Sequence, residues 1–335
     1  MTTTAVVILN YNGQDFLQKF LPSVIAYSEG ADVYVADNGS TDQSVAIVER
    51  EFPSVKIIRL YENYGFCGGY NRALREIHTD YYVLLNSDVE VTEGWISPLR
   101  NMLDTDKRVG AVQPKILSYE QRDRFEYAGA AGGFVDSLGY PFCRGRIFDF
   151  VEADTKQYDD TCEVFWATGA CLMIRAELYH RFDGLDEDFF AHMEEIDLCW
   201  KIQRAGFRVF YSGSSRVYHV GAGTLGYASP TKTYLNFRNG LIMITKHFNS
   251  GEMVWKLPLR ISLDWLAAVT FLFKSQVHHT KAVLRAHKAF LRHIGKTFEK
   301  RKALRSRYPE YPRDSIFQGL VIVEYYLKRK KKLIR

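Results

Sequence analysis

The sequence of 335 residues is poor in cysteine and lacks the marks of several protein classes. Its five cysteines are widely spaced and form no C-x-x-C pair, which argues against both a zinc site and a disulfide framework. Several lie in apolar stretches and are predicted to be buried thiols, which favours a reduced, cytoplasmic setting. No uninterrupted run of about 18 apolar residues is present, so we predict no transmembrane helix.

The first residues, MTTTAVVILNYNG, lack the positively charged start of a secretory signal and pass at once into an apolar stretch. We therefore expect no signal peptide. The sequence is rich in hydrophobic residues: 47% of its residues are hydrophobic and 14% are aromatic, enough for a large buried core.

The charge is unevenly distributed along the chain. The net charge is +5, but residues 274–335 alone hold 18 Lys and Arg against 4 Asp and Glu, which leaves about −9 on the residues before them. This asymmetry predicts an acidic globular body with a basic tail that associates with an anionic surface.

The first third of the chain alternates strand and helix patterns. AVVILN (5–10), DVYVAD (32–37), VKIIRL (55–60) and YYVLLN (81–86) are apolar and short, with helical spacing between them. This alternation predicts an α/β protein with a mostly parallel sheet flanked by helices. VFWATGACLMIR (164–175) is predicted to be one further strand.

Polar residues stand where these predicted strands end. Asn10, Asp37 and Asp88 follow three of them, and ligands of such sheets bind at the carboxyl ends of the strands. Taken singly, Asp37 and Asp88 also fit the ordinary role of Asp as a cap at a strand end.

Seven motifs, in this order, resemble those of the family 2 glycosyltransferases. They are VVILNYNG, VADNGSTDQS, ENYGFCGGYNRAL, LLNSDVEV, ATGACLMIR, FDGLDEDFFAHMEEIDLCWKIQRAG and YHVGAGT. The resemblance covers about residues 4–245 and is strongest to the rhamnosyltransferase-like branch. It implies the GT-A nucleotide-sugar-binding fold and an inverting transfer of a sugar from a nucleoside diphosphate to a hydroxyl group.

Two motifs depart from the family pattern. Asn86-Ser87-Asp88 replaces the paired Asp-x-Asp, and Glu194-Glu195 replaces the usual Glu-Asp pair. The resemblance implies that Asp88 and His219 bind a divalent metal, Mn²⁺ or Mg²⁺, which stabilises the charge on the departing diphosphate. The imidazole favours Mn²⁺ over Mg²⁺.

The same resemblance assigns the catalytic base to Glu195. An acceptor hydroxyl has a pKa far above 7 and needs a base within hydrogen-bond reach. Glu194 and Asp197 crowd Glu195 near a predicted helix start, and like charges raise one another's pKa. We therefore count all three as catalytic candidates, with Glu195 as the base.

The resemblance also implies a set of residues that bind the nucleotide sugar. Asp37 corresponds to the carboxylate that binds the base and ribose, Tyr11 would lie against the base, and a glycine-containing loop would let the backbone approach the nucleotide. The complete set is Asn10, Tyr11, Asn12, Asp37, Asn63, Gly65, Gly68, Asn71, Asn86, Trp166, Thr168 and Gly169.

Structural roles compete with several of these assignments. His219 and Trp166 also fit core positions, Gly68 fits a turn at a helix start, and Asp197 fits an ion pair with a nearby Arg. The sequence leaves these alternatives open.

The chain is predicted to comprise a catalytic domain (1–250) and a C-terminal amphipathic, basic helical region (251–335). In WKLPLRISLDWLAAVTFLFK, Arg260 and Asp264 make a membrane span costly, so we expect a helix at the membrane interface with its charges at headgroup level. This predicts a protein peripheral to the inner face of the cell membrane; the alternative is a helical appendage packed on the catalytic body.

The predicted function is transfer of a sugar, rhamnose among the candidates, from a dTDP- or UDP-sugar to a glycan acceptor, lipid-linked, in cell-surface polysaccharide synthesis. The alternative is a non-catalytic, membrane-associated scaffold that binds nucleotide sugars. A dehydrogenase is rejected because G-x-G-x-x-G does not follow the first strand, and no nucleic-acid-binding module is visible. Whether the chain forms a homodimer is left open.

Overall fold

The computed structural model describes residues 2–221, 229–312 and 314–333. The strands are β1 Thr4–Asn10, β2 Asp32–Asp37, β3 Lys56–Arg59, β4 Tyr81–Asn86, β5 Val89–Val91, β6 Val109–Ser118, β7 Gly133–Val135, β8 Pro141–Cys143, β9 Arg146–Ile147, β10 Phe150–Val151, β11 Thr161–Val164, β12 Cys171–Arg175 and β13 Arg208–His219. The helices are α1 Gln14–Tyr27, α2 Ser44–Glu51, α3 Gly65–Ala73, α4 Ile96–Thr105, α5 Ala176–Arg181, α6 Glu194–Arg204, α7 Pro230–His247, α8 Ser250–Phe273 and α9 Val277–Arg307.

The central sheet of nine strands has the order β11-β13-β6-β12-β4-β1-β2-β3, with β5 paired to β13. Strands β4, β1, β2 and β3 are parallel, as the alternating pattern predicts. The other half is mixed, because β12 runs antiparallel to both β4 and β6. The expected α/β architecture is confirmed, with a parallel half and a mixed half.

Strands β1 and β4 are apolar and buried along most of their length because both of their faces are covered. Val7 and Leu84 point into one buried cluster, and Val6, Ile8 and Leu85 into the other. Alternate residues of one strand therefore lie in different layers. Charged side chains of this half are confined to the strand ends.

The register of the parallel strands places three polar side chains at one edge. Asn10 of β1 is paired with Asp37 of β2, and Leu9 is paired with Asn86 of β4. All three strands end at this edge. The site described below is built on it.

The C-terminal helices pack against the sheet domain. Helix α9 lies along α7, and its Lys296 donates to Asp188 Oδ1 (2.6 Å). Arg301 Nη1 of α9 donates to the Thr245 carbonyl of α7 (2.7 Å). Among the described residues, no helix has the length and apolarity needed to cross a bilayer.

Helix α8 has its polar and apolar faces reversed. Lys256, Arg260 and Asp264 are buried, whereas the opposite face exposes Trp, Leu, Val and Phe side chains. Arg260 lies 3.4 Å from the centre of the Tyr140 ring, and its Nη1 donates to the Leu138 carbonyl (3.3 Å). The expectation that Arg260 and Asp264 lie at headgroup level is therefore wrong: both charges are satisfied inside the protein.

Candidate functional site

Asn10 and Asp37 form a hydrogen-bonded group at the ends of β1 and β2. Asn10 Nδ2 donates to Asp37 Oδ1 (3.3 Å) and to Ser40 Oγ (3.1 Å). Ser40 N donates to the other Asp37 oxygen (3.2 Å), and Asn12 Oδ1 accepts from Thr41 N (2.7 Å). This network fixes the loop after β2 against the loop after β1 and holds the Asp37 carboxylate at the sheet edge.

The loop after β3 is shaped by amide side chains. Asn38 Nδ2 donates to Asn63 Oδ1 and to the Gly65 carbonyl, both at 3.1 Å. Gly65 has φ +70°, and a Cβ there would lie 2.6 Å from the Phe190 ring. A larger residue at 65 would therefore both be strained and collide with Phe190. Tyr11, at the neighbouring loop, is 46% exposed and offers a free ring face.

Asp88 and His219 meet because β13 ends beside β5. His219 is paired in register with Val89, the residue after Asp88. His219 Nε2 lies 3.1 Å from Asp88 Oδ1 and 3.4 Å from Asn86 Nδ2. Residues more than a hundred positions apart in sequence thus form one buried polar group at the carboxyl edge.

Glu126 completes this group, and sequence reasoning missed it. Its Oε2 lies 3.3 Å from His219 Nδ1, so the imidazole stands between two carboxylates. A carboxylate on the second nitrogen orients a metal-binding histidine and fixes its tautomer. Burial disfavours the imidazolium, but contacts with Asp88 and Glu126 outweigh it and raise the pKa of His219 to about 10. Only the fold brings Glu126 here, because no motif contains it.

A divalent cation held by Asp88 and His219 would have to displace the His219 proton, since an imidazolium has no lone pair to donate. The nearest atoms of the two side chains are 3.1 Å apart, and two ligands at right angles on bonds of about 2.1 Å would be about 3.0 Å apart. Within the described residues, no three or more His, Cys, Asp or Glu side chains are grouped to hold a metal. Phosphate oxygens and water would have to supply the remaining ligands, as they commonly do for Mg²⁺.

Glu194, which is buried, and Glu195, which is half-buried, open helix α6 as neighbouring carboxyl groups. Burial raises the pKa of Glu195 to about 7, although backbone N–H groups at the helix start oppose this. Burial and the neighbouring Glu195 together raise the pKa of Glu194 well above its usual range. Within the described part of the chain, Oε2 of each has no hydrogen-bond partner. A carboxyl group with a pKa of about 7, as Glu195 has, suits a general base near neutral pH.

A short turn connects Glu195 to the sheet edge. The Ala170 carbonyl accepts from Asn86 N (3.0 Å), and a Cβ on Gly169 would lie 3.9 Å from Glu195 Cβ and 3.6 Å from the Phe66 ring. Gly169 thus lies between the end of β4 and the carboxyl pair. The absence of a side chain at 169 keeps this space open.

The segment before Glu194 is strained. Phe190, His192 and Met193 have φ of 65°, 68° and 74°, values that non-glycine residues rarely adopt. Asn239 of α7 holds this segment: its Nδ2 donates to the carbonyls of Phe189 (3.0 Å), Ala191 (2.9 Å) and His192 (2.7 Å). Asn239 is a second residue that sequence reasoning missed, since Asn within an apolar helix gives no distinctive signal.

Asp197 is one of the predicted catalytic residues, and the structure places it in a buried ion cluster. Its carboxylate lies 2.7 Å from Lys246 Nζ, 3.1 Å from Lys201 Nζ and 2.9 Å from His247 Nε2. After the cost of burial, Lys246 and its neighbours hold the pKa of Asp197 well below its usual range. A carboxylate so strongly paired is a poor base. Lysine and histidine, rather than the expected arginine, are its partners.

Asn71 was predicted to bind the nucleotide sugar, but its side chain forms hydrogen bonds with other groups of the protein. Its Nδ2 donates to the Leu185 carbonyl (2.8 Å), and its Oδ1 accepts from Tyr179 Oη (2.7 Å) and Leu185 N (2.9 Å). We therefore leave Asn71 out of the candidate site, because these contacts tie α3 to the loop before α6.

Three other predicted residues also make structural contacts. The Trp166 ring covers Gly133 and its Nε1 donates to the Phe134 carbonyl (3.0 Å). Thr168 is buried, and its N donates to Gln113 Oε1 (3.0 Å). Gly68 lies inside α3 rather than in a loop. The motif YHVGAGT extends beyond the described residues, since 222–228 are not among them.

A cavity of about 580 Å³ adjoins the Asp88–His219 group. Glu126 lines it together with Ser118, Gln121, Arg124, Phe125, Tyr127, Asp149, Phe150 and Val151. Glu126 therefore faces His219 on one side and open space on the other.

The sequence matches known proteins across this region. The model of the family described as "Glycosyl transferase family 2" matches residues 5–182. An N-acetylglucosaminyl-diphospho-decaprenol L-rhamnosyltransferase of Mycobacterium tuberculosis is 26% identical over 277 residues, which cover 77% of this chain and 88% of the relative. Rhamnosyltransferase WbbL of Escherichia coli is 21% identical, covering 64% and 82%.

Solved structures share the fold. TarS residues 1–349 of S. aureus, in complex with UDP-GlcNAc, superimposes with a TM-score of 0.58 at 15% identity, covering 98% of this chain and 92% of that one. GalNAc-T7 with UDP, GalNAc and Mn²⁺ gives a TM-score of 0.58 at 16% identity, covering 74% and 49%.

The family match spans more than half of the chain, and the fold and the order of motifs agree with it. The chain belongs to glycosyl transferase family 2 and is similar to the rhamnosyltransferases of that family.

Proposed function

We propose that the chain is an inverting, divalent-metal-dependent glycosyltransferase that moves a sugar from a nucleoside diphosphate to a hydroxyl group of a lipid-linked glycan. The observation that carries the proposal is the carboxyl pair of Glu194 and Glu195, in which burial sets the pKa of Glu195 near neutrality, beside the edge that holds Asp37 and Asp88. Rhamnose is the proposed sugar, supported by the similarity to rhamnosyltransferases.

Each part of the edge has a role in this proposal. The Asp37 carboxylate and the exposed Tyr11 ring would bind the nucleoside, through hydrogen bonds and stacking respectively. Asp88 and His219 would hold the cation, which supplies positive charge next to the diphosphate as it leaves. Glu126 would keep the His219 ring in place.

The transfer then needs one base and no enzyme nucleophile. Glu195 removes the proton from the acceptor hydroxyl while its oxygen forms a bond to the anomeric carbon of the sugar. The bond from that carbon to the diphosphate oxygen breaks, and the nucleoside diphosphate leaves with the electron pair. Attack opposite the leaving group inverts the anomeric centre.

The acceptor class is supported by the similarity to a relative named for a diphospho-decaprenol substrate. The test is an assay of transfer from dTDP-rhamnose, with UDP-GlcNAc in parallel, to a prenyl-diphosphate-linked N-acetylglucosamine, in Mn²⁺ and in EDTA. We expect a product whose new linkage has the inverted configuration by NMR, with transfer only from the rhamnosyl donor and only with metal.

The competing function is a non-catalytic scaffold. A thermal-shift measurement with each nucleotide sugar separates the two, because a ligand that binds the folded state raises Tm whether or not it reacts. A shift without transfer to any acceptor would favour the scaffold. Retained configuration in the product would contradict the inverting mechanism.

A further inference from the structure

The outer surface of the α8–α9 hairpin is apolar, although the helices are part of a folded domain. On α8, the side chains of Trp255, Leu259, Leu266, Val269 and Phe273 are all exposed. They recur at intervals built from three and four residues, so they lie along one face of the helix. A soluble helix normally buries this face and exposes its charges.

The buried polar face of α8 explains why the helix cannot rotate about its axis. Asp264 accepts from Arg260 Nε (3.3 Å), and its other oxygen lies 3.2 Å from His287 Nε2 of α9. These charges are buried and mutually paired. Rotating α8 until its apolar face packed against the rest of the protein would break this buried ion pair, which is costly.

Helix α9 carries a second exposed apolar line, flanked by positive charge. Leu284, Leu291 and Phe298 are exposed at intervals of seven residues, so they form one line along the helix. Lys281 and Lys288, also exposed, flank this line one helical turn away on the same side. We give the name hairpin face to these two lysines together with Trp255, Leu259, Leu266, Val269, Phe273, Leu284, Leu291 and Phe298.

The charges of the hairpin face favour an anionic lipid surface over a second copy of the chain as its partner. Between Val254 and Phe298 the only carboxylate is Asp264, which is buried. A second copy of the chain, meeting this face with its own, would oppose lysine to lysine with no acidic partner. An anionic lipid surface complements all of these cations at once. Two exposed tryptophans also suit a membrane–water interface, where Trp is enriched.

A short run of contacts links the start of α9 to the His219 group. His279, near the start of α9, has its Nδ1 2.8 Å from Thr233 Oγ1 of α7. The neighbouring Lys232 lies over the ring of Tyr127, 5.4 Å from its centre, and Tyr127 follows Glu126 of the His219 group. Phe273, at the end of α8, is 86% exposed.

We propose that the hairpin face docks on an anionic membrane surface, with its apolar side chains among the lipids and Lys281 and Lys288 at the phosphate level. This attachment places the Glu195 site near the membrane surface, where the glycan of a lipid-linked acceptor extends out of the bilayer. That consequence for the acceptor rests on the proposed function, whereas the docking itself does not.

The experiment is flotation of the full chain with liposomes of neutral lipid alone or with 30% anionic lipid, at about 0.05 M and 0.5 M salt, where screening differs strongly. Wild type is expected to float with anionic liposomes and to be released in part by salt. Leu266→Gln/Phe273→Gln should lower the bound fraction about tenfold or more. Lys281→Gln/Lys288→Gln should abolish the preference for anionic lipid.

Matched controls are Tyr27→Gln, an exposed aromatic on α1, and Lys107→Gln/Lys156→Gln, exposed lysines away from the hairpin. All substitutions are at exposed positions, and unchanged unfolding midpoints check that the variants fold. Flotation of the Leu266/Phe273 variant at the wild-type level would overturn the proposal. So would a wild type that does not float but sediments as a dimer that the same variant dissociates, which would assign the face to a second copy.

Turnover with a short, water-soluble acceptor is measured on the same samples. Flotation without any sugar transfer would overturn the proposed function and leave docking intact. Transfer by a protein that does not bind liposomes would overturn docking and leave the proposed function intact.

Discussion

At the scale of single residues, the two neighbouring carboxyl groups at the start of α6 have different expected roles. Glu195→Gln keeps the shape and removes the base, so we expect kcat to fall about 10²-fold or more with little change in donor affinity. Burial and Glu195 raise the pKa of Glu194 well above its usual range, which favours the neutral form that glutamine mimics, so Glu194→Gln should cost much less. Steady-state kinetics compares the two variants. A large loss in Glu194→Gln alone would make Glu194 the base.

The pH dependence follows from the same pair. A base acts only when deprotonated, so activity is expected to be lost as pH falls through the pKa of Glu195, about 7, and to be full above it. Because burial is the main cause of the raised pKa of Glu195, Glu194→Gln should keep this limb close to pH 7. The profile of kcat/KM against pH measures it, and a limb near pH 4.5 would mean that Glu195 is not the group that titrates.

Asn239 is expected to act through the segment that carries the base rather than on substrate. Asn239→Ala removes three hydrogen bonds from the Phe189, Ala191 and His192 carbonyls that hold backbone in left-handed conformations. We expect kcat to fall about tenfold or more while donor KM changes less than about twofold, because misplacement of a catalytic group mainly affects the chemical step.

The control for Asn239 is Leu241→Ala on the same helix. Leu241 is buried, so this variant loses about 2–5 kcal/mol of stability without removing a side-chain hydrogen bond to the segment before Glu194. Its kcat at a temperature where it is folded should stay near wild type. Equal losses of kcat in both variants would give Asn239 an ordinary structural role.

At the scale of elements, we expect the loss of one partner of the Arg260–Asp264 ion pair of α8 to destabilise the protein more than the loss of both. Asp264→Ala leaves Arg260 buried without its carboxylate and should cost about 3–5 kcal/mol in the free energy of unfolding. The double variant Arg260→Met/Asp264→Leu should lose clearly less, because neither charge is then buried. Denaturant unfolding measures all three, and additive losses would show that the two residues do not interact.

The strands of the parallel half could be predicted from sequence, because each is a continuous apolar run closed by polar residues. The stretch 164–175 was predicted as one strand, but it holds only Val164, the last residue of β11, and β12, with residues 165–170 outside both strands. Between them Ala170 N donates to Thr168 Oγ1 (3.2 Å), a local bond that competes with the sheet. Apolar composition alone does not reveal such a break.

Site residues could be predicted where their role follows from their position at the end of a strand. They could not be predicted where their role depends on partners distant in sequence. Asp37 and Asp88 lie at the predicted edge, and His219 is beside Asp88. Glu126 and Asn239 reach the site only through the fold, and Asn71 and Asp197 are used by neighbours that no motif identifies. Their roles follow from tertiary contacts rather than from local pattern.

At the scale of the whole molecule, the division at residue 250 can be tested by truncation. Removing residues after Asn249 would uncover α7, against which α9 packs, and would leave Asp186 without Lys300 and Asp188 without Lys296 and Lys300. We expect Tm of the shortened chain to fall by more than about 10 °C, because several kcal/mol of burial and pairing are lost. An unchanged Tm in thermal unfolding would show that residues 1–249 fold independently.

The reversed polarity of α8 also governs how the protein behaves in bulk solution. Its mean hydropathy of −0.21 is unremarkable, because an average over the chain cannot distinguish charges turned inward from charges turned outward. Because its charges disfavour pairing with a second copy, the exposed apolar row is expected to bind apolar supports in detergent-free buffer and to retain the protein on a hydrophobic column. Glutamine at 255, 259, 266, 269 and 273 should shorten that retention without changing the unfolding midpoint, since none of these side chains is buried.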